Sequence, residues 1–146
     1  MSGGLRDPIG IVLVHGGFHG PWCWDKLVPR LRADDVAIAT PDTYEGPTPA
    51  DPGVVQAAVD RFAEDGPVLV CAHSAGGFAV TALDPSNVAR MVYLCAFLPD
   101  DHEWFPDLPV CPGFFDMVAT DAAGVMTTKP DRARELFHKL PRVGRH

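Results

Sequence analysis

The chain has 146 residues, 47% hydrophobic and 21% charged, the balance of a globular domain with its own core and not of a disordered segment. A net charge of −7 lacks the basic excess that nucleic acid requires, so no nucleic-acid partner is expected. The longest clean apolar run near the start, Ile9 to Val14, is too short to span a bilayer, and no basic n-region of a signal peptide precedes it. No membrane partner and a cytoplasmic location are therefore expected.

The first predicted element is a buried strand over the β-branched run Ile11-Val-Leu-Val14, ending in the tight turn His15-Gly16-Gly17. Pro21 suits the first turn of a helix in which Trp24, Leu27, Val28 and Leu31 share one face, with Pro29 kinking it or marking an irregular second half. Val36 to Thr40 reads as a second strand closed by Pro41-Asp42, and Thr43 to Gly53 as a loop rich in proline, threonine and glycine. Val55, Ala58, Val59 and Phe62 repeat the helical spacing, with Gly66 as its C-cap. Val68 to Cys71 is a third strand, a short helix runs from about Ala75 to Leu83, and Met91 to Ala96 is a fourth strand, apolar throughout. After Phe97 only weaker helices near Phe114–Ala119 and Pro130–His138 are expected, with no fifth or sixth strand. Strands alternating with helices imply an α/β fold, a parallel sheet covered on both faces.

Cys23, Cys71, Cys95 and Cys111 form no Cys-x-x-Cys pair, so metal and redox motifs are excluded and the four are expected as buried, reduced thiols.

The sharpest chemical feature is Cys71-Ala-His-Ser-Ala-Gly-Gly77 between the third strand and the next helix. A serine on so tight a strand-to-helix turn has strained dihedrals, which need small residues two positions to either side. Ala72 and Gly76 supply that room, Ala72 where the usual pattern has glycine. A helix N-terminus behind Ser74 favours developing negative charge. Ser74 is thus the candidate nucleophile. His73 is expected to point away from it and serve position only.

The run His15-Gly16-Gly17-Phe18-His19-Gly20-Pro21-Trp22-Cys23-Trp24 follows the first strand. It resembles the His-Gly-x-x-His-Gly-x-Trp-x-Trp signature of the plant methylesterase, salicylate-binding and hydroxynitrile-lyase group of α/β-hydrolases and its bacterial relatives. Val92-Tyr-Leu-Cys-Ala-Phe-Leu-Pro99 is similar to the same group's strand-end motif. The resemblance implies an oxyanion hole made by the backbone N–H groups of Gly17 and Ala75, and turn-holding roles for His15 and His19 in place of a metal pair. It implies hydrolysis of a small-molecule ester through an acyl-enzyme, with no cofactor. The group's lyases carry threonine where this chain has Gly16, which favours the esterase over cyanohydrin cleavage. Trp104, Phe105, Phe114 and Phe115 suit either the lining of an apolar pocket or the core of a cap.

Three regions are expected: 1–98 as the N-terminal part of the hydrolase core, 99–138 as a partial cap, and 139–146 as an atypical tail. In α/β-hydrolases the triad runs Ser, then Asp or Glu, then His. Downstream of Ser74 stand only His102, His138 and His146, none after a recognisable strand, with Asp100 or Asp101 as alternative acids. Residues 129–146 hold six basic and two acidic side chains, net +4, against −11 for the rest. In one permitted coding of Phe137 onward, loss of a single adenine restores a cysteine-proline stretch closer to the family's. The expectation is a frameshifted or prematurely ended copy of a longer hydrolase, its sheet truncated after four strands. The alternatives are a non-catalytic remnant or binding partner. An exposed sheet edge would allow self-association.

Overall fold

The computed structural model describes residues 9–32, 36–46, 50–100, 103, 110, 112–122 and 125–136. Four strands form one sheet: β1 (Gly10–Val14), β2 (Ala37–Ala39), β3 (Val68–His73) and β4 (Val88–Leu94), in the order β2-β1-β3-β4. Every pairing in it is parallel, with Val12 opposite Ala39 and Val70, and Val70 opposite Met91. The alternation of a strand makes that register a packing statement. Val12 and Val14, Ala39, and Val68, Val70 and Ala72 belong to one buried core cluster, and half-buried Met91 and Tyr93 pack against it.

Two helices close that face. The helix α2 (Pro52–Ala63) contributes Val55 and Val59, both fully buried, each stabilising by roughly 1.5–3 kcal/mol. Its start is set by Asp51, whose carboxylate accepts from the Gly53 and Val54 N–H groups, and by Pro52, which needs no N–H partner there. The expected loop therefore ends before Gly53, which lies inside the helix. The C-cap is Glu64 and not the expected Gly66, which lies two residues further on with φ +153, because the helix ends at Ala63. The helix α3 (Gly76–Thr81) adds Ala79 and Val80.

On the opposite face Leu13 is 2% exposed and Trp24 6%. The single helix expected from Pro21 is instead two pieces, a 3-10 turn over Pro21–Trp24 and a four-residue α1 (Val28–Leu31). Pro29 explains the break, since it lies in the first turn of α1 and cannot donate to the preceding residues. Leu27, expected on the buried face, falls at the junction and is 36% exposed.

The fourth strand runs Val88–Leu94, starting and stopping earlier than its apolar run. It lies at the sheet's edge, and by strand alternation Val92 and Leu94 point to the face opposite Met91 and Tyr93, where they are 40% and 47% exposed. Cys95, expected to be buried, is exposed just past that strand, whereas Cys23 and Cys71 are half-buried. Cys111 lies outside the described residues.

The chain divides into two compact units, 1–104 and 105–146. In the second, the helix expected over Phe114–Ala119 is a 3-10 turn (Phe115–Met117) running into a strand, β5 (Val118–Thr120). It pairs antiparallel with β6 (Met126–Thr128), so a fifth and a sixth strand do exist, outside the main sheet. β-Branched Val118, Thr120, Thr127 and Thr128 favour extended backbone. Asp121 closes the turn, its carboxylate accepting from Val125 N–H and its own N–H donating to the Val125 carbonyl. A short α4 (Ala133–Leu136) lies within the expected helix, whose last two residues, Phe137 and His138, fall outside the described ones.

Candidate active site

At the C-terminal end of β3 the chain reverses into α3 through Ser74 and Ala75. Ser74 has φ +51, the left-handed conformation that the turn's sterics require and that a serine adopts only when its surroundings hold it. The surroundings are visible. The Ser74 carbonyl accepts from Gly77 N–H at 3.1 Å and from Phe97 N–H at 3.0 Å. The segment after β4 is thereby tied to the turn, and the Phe97 ring lies against Phe78 of α3 with centroids 5.3 Å apart. This locates the third sequence motif: Ala96-Phe97 holds the turn from behind.

Three glycines and an alanine let the parts approach. A Cβ at Gly16 would stand 2.7 Å from the Ser74 Cβ, and one at Gly76 would stand 2.6 Å from the His15 carbonyl oxygen. A Cβ at Gly17 would be 3.6 Å from that of Ala75, so residues 17 and 75 are neighbours across the cleft. The structure thus brings Ser74, Gly17 and Ala75 to one place.

The turn after β1 is clamped by its own histidines. His15 is buried; its Nε2 accepts from the Thr43 N–H at 3.1 Å, which assigns the hydrogen to Nδ1, and that nitrogen donates to the Gly16 carbonyl at 3.0 Å. His19 Nδ1 donates to the Gly17 carbonyl at 2.9 Å. Each bonded carbonyl shares a peptide plane with the N–H of the following residue, so holding the Gly16 oxygen also orients the Gly17 N–H. The His19 ring stacks on Trp22 and meets His73 edge-on at 5.6 Å. His73 packs its ring near Trp24 as well, at 6.4 Å, and burial followed by the neighbouring His19 pushes its pKa below the usual histidine value. Among the described residues no histidine hydrogen-bonds the Ser74 hydroxyl.

Residues 42–44, which span the expected strand closure and the start of the expected loop, complete the support. Asp42 Oδ1 lies 3.2 Å from His15 Nε2 and accepts from Tyr44 N–H at 3.0 Å. The Tyr44 ring lies against His15, centroids 5.3 Å apart, and its hydroxyl would be 3.9 Å from a Cβ at Gly17. No sequence signal marked Tyr44, because its proximity to Gly17 exists only once β2 is paired beside β1.

Asp100 is exposed, and Asp101, His102, His138 and His146 lie outside the described residues. Burial, then the nearby Asp25, raises the Cys23 thiol to about 11, and burial raises Cys71, so neither is a reactive thiolate near neutral pH. The described residues contain no cluster of three or more metal-ligating side chains. An open groove of about 490 Å³ runs beside β2, lined by Arg32, Ala37, Ile38 and Phe62 among others, and does not include Ser74. No helix among the described residues is long and apolar enough to cross a membrane.

The chain is similar to plant methylesterases. It is 35% identical to Methylesterase 9 of Arabidopsis thaliana over 103 residues, covering 61% of this chain and 40% of that protein. It is 31% identical to Methylesterase 18 of the same plant over 124 residues, covering 72% and 47%. The chain thus spans less than half the length of these curated relatives. Among solved structures, a pyrethroid hydrolase from Sphingobium faniae JZ-2 superposes with a TM-score of 0.69 at 23% identity, covering 94% of this chain and 64% of that one. A polyneuridine aldehyde esterase superposes at 0.62 with 19% identity, covering 88% and 61%. At such identities the superpositions show the fold. A family model described as the Alpha/beta hydrolase family matches residues 11–145, and with the parallel sheet and the Ser74 turn already in place, the chain belongs to that family.

Proposed function

We propose that the chain supplies the nucleophile and oxyanion half of a serine-dependent site that hydrolyses small apolar carboxylic esters, with Ser74 as nucleophile and the Gly17 and Ala75 N–H groups as oxyanion donors. The observation that carries this reading is the positive φ of Ser74 on a strand-to-helix turn in which Ser74 stands beside Gly16 and Ala75 beside Gly17. In the reaction the Ser74 oxygen bonds the ester's carbonyl carbon while its proton passes to a general base, and the carbonyl π pair moves onto oxygen. Collapse of that tetrahedral adduct expels the alkoxide, which takes the proton; water then repeats the sequence and releases the acid. No cofactor enters. Similarity to methylesterases supports esters as the substrate class. The free thiols of Cys23, Cys71 and Cys95 suit a reducing, cytoplasmic setting.

Gly16 favours ester hydrolysis over cyanohydrin cleavage. A threonine there would drive its Cβ into Ser74, so the lyase arrangement does not fit this backbone.

Ser74→Cys tests the reading without a general base, because a thiol is a few per cent thiolate near pH 7 and intrinsically nucleophilic. Acylation by 4-nitrophenyl acetate, located by peptide mass spectrometry, is expected at position 74 at least tenfold faster than at exposed Cys95. Equal or slower acylation at position 74 removes Ser74 from the nucleophile role.

We also propose that a second copy of the chain pairs against β4, whose edge carries exposed Val92 and Leu94. Light scattering is expected to give a dimer or larger species. Val92→Lys with Leu94→Lys should return it to monomer; a monomeric parent chain contradicts the pairing.

A further inference from the structure

Among the described residues, the Tyr44 hydroxyl is the side-chain polar group that comes beside Gly17 from outside the two motifs. It would lie 3.9 Å from a Cβ at Gly17, with the Ala75 Cβ 3.6 Å from the same point, so it stands beside the residue that supplies one N–H donor assigned above and close to the approach of the other residue. The residue is held there by three contacts: its ring tilted against buried His15, its own N–H on Asp42, and a backbone hydrogen bond from Phe18. Phe18 has φ +62, so the turn that delivers this N–H is itself strained and specific. A hydroxyl that accepts from a backbone N–H keeps its own hydrogen to donate, and accepting strengthens it as a donor. Tyr44 is 50% exposed, so the residue is not sealed in the core. Burial is the main cause raising its pKa, and Asp42 adds to it, so the phenol keeps its proton at any pH where an esterase works.

We propose that the Tyr44 O–H is a third donor to the oxyanion, touching the substrate's carbonyl oxygen together with the Gly17 and Ala75 N–H groups. This rests on Ser74 being the nucleophile. As the carbonyl carbon is attacked, its π pair moves to oxygen; the Tyr44 hydrogen bond shortens onto that charge without transferring its proton, and relaxes when the carbonyl re-forms. A two-donor hole widened by a phenol also favours esters whose acyl group is small enough to lie beside the ring.

The Ser74→Cys chain provides the test, because it separates forming an oxyanion from merely reaching the nucleophile. Acylation by 4-nitrophenyl acetate builds an oxyanion; alkylation by iodoacetamide displaces iodide at a saturated carbon and builds none. Adding Tyr44→Phe, which keeps the ring on His15, is expected to slow acylation at position 74 by about 100-fold, the lower end for losing one oxyanion donor, and to leave its alkylation unchanged. Equal slowing of both reactions, or of neither, overturns the role of Tyr44. If the Ser74→Cys chain itself acylates no faster at position 74 than at Cys95, the nucleophile assignment has failed instead. A thermal melt of each variant checks that the fold is intact, and Tyr44→Trp, which fills the space without a matching hydroxyl, should behave as Tyr44→Phe does.

Discussion

Purified as residues 1–146, the chain is expected to hydrolyse short-chain nitrophenyl esters no faster than its Ser74→Ala variant and to take no label from a fluorophosphonate probe. A serine hydroxyl is a poor nucleophile near neutral pH until a base removes its proton. The three described histidines are otherwise engaged: His15 between Thr43 and Gly16, His19 on the Gly17 carbonyl, and His73 against Trp24 and His19. Loss of the base in a serine protease costs on the order of a millionfold in kcat, leaving ~10³–10⁴ over water from the oxyanion hole and binding. Such a remainder falls within the background of the assay. Turnover that disappears in Ser74→Ala would show that a histidine outside the described residues reaches the serine, and His102, shortly after β4, is the first to replace. The introduced thiol of Ser74→Cys evades this requirement, so the two experiments together separate a missing base from a missing site.

Gly77→Ala is expected to destabilise the fold by about 3 kcal/mol, at the upper end for inserting atoms into a packed interior, and to lower Tm by about 10 °C. A Cβ at Gly77 runs into the carbonyl oxygen of Phe97. That obstacle is backbone, not the end of a flexible side chain, and the Phe97 N–H is bonded to the Ser74 carbonyl. Relief therefore requires moving either α3 or the segment that braces the turn. Gly17→Ala is the control. Its Cβ meets only ordinary contacts, 3.6 Å from Ala75 and 3.9 Å from the Tyr44 hydroxyl, so its melt should stay within about 1 kcal/mol of the parent. Both are read by circular dichroism melts; a Gly77→Ala chain as stable as the Gly17→Ala one contradicts the close approach of α3 and Phe97.

The order of elements through β4 was legible because each carries a local signal. Val12, Val14, Val68 and Val70 are buried β-branched residues of two central strands, and Val55 and Val59 repeat one helical face behind an aspartate–proline start. The Ser74 turn was legible for the same reason, since small residues at 72 and 76 are a steric condition written into the chain itself. Local signals failed where competing effects were close in energy. Leu27, Val28 and Leu31 have helical spacing, yet Pro29 splits the segment; Val118–Thr120 resembled a helix end until Met126–Thr128 offered it a strand partner. The exposed edge at β4 was legible as well, but the exposure of Cys95 was not, because it depends on how the chain leaves the strand after Leu94.

What the sequence determined by itself was the family, the parallel sheet and the serine on its turn, all set by patterns within about ten residues. Only the tertiary structure decided that His15 hands its Nδ1 hydrogen to Gly16, that Phe97 braces Ser74 from β4, and that Tyr44 reaches Gly17 from the end of β2. These pairs are separated in the chain by about 20 to 30 residues, or depend on such a pair for their geometry. They meet because parallel pairing brings the C-terminal ends of successive strands to one edge, where their loops converge.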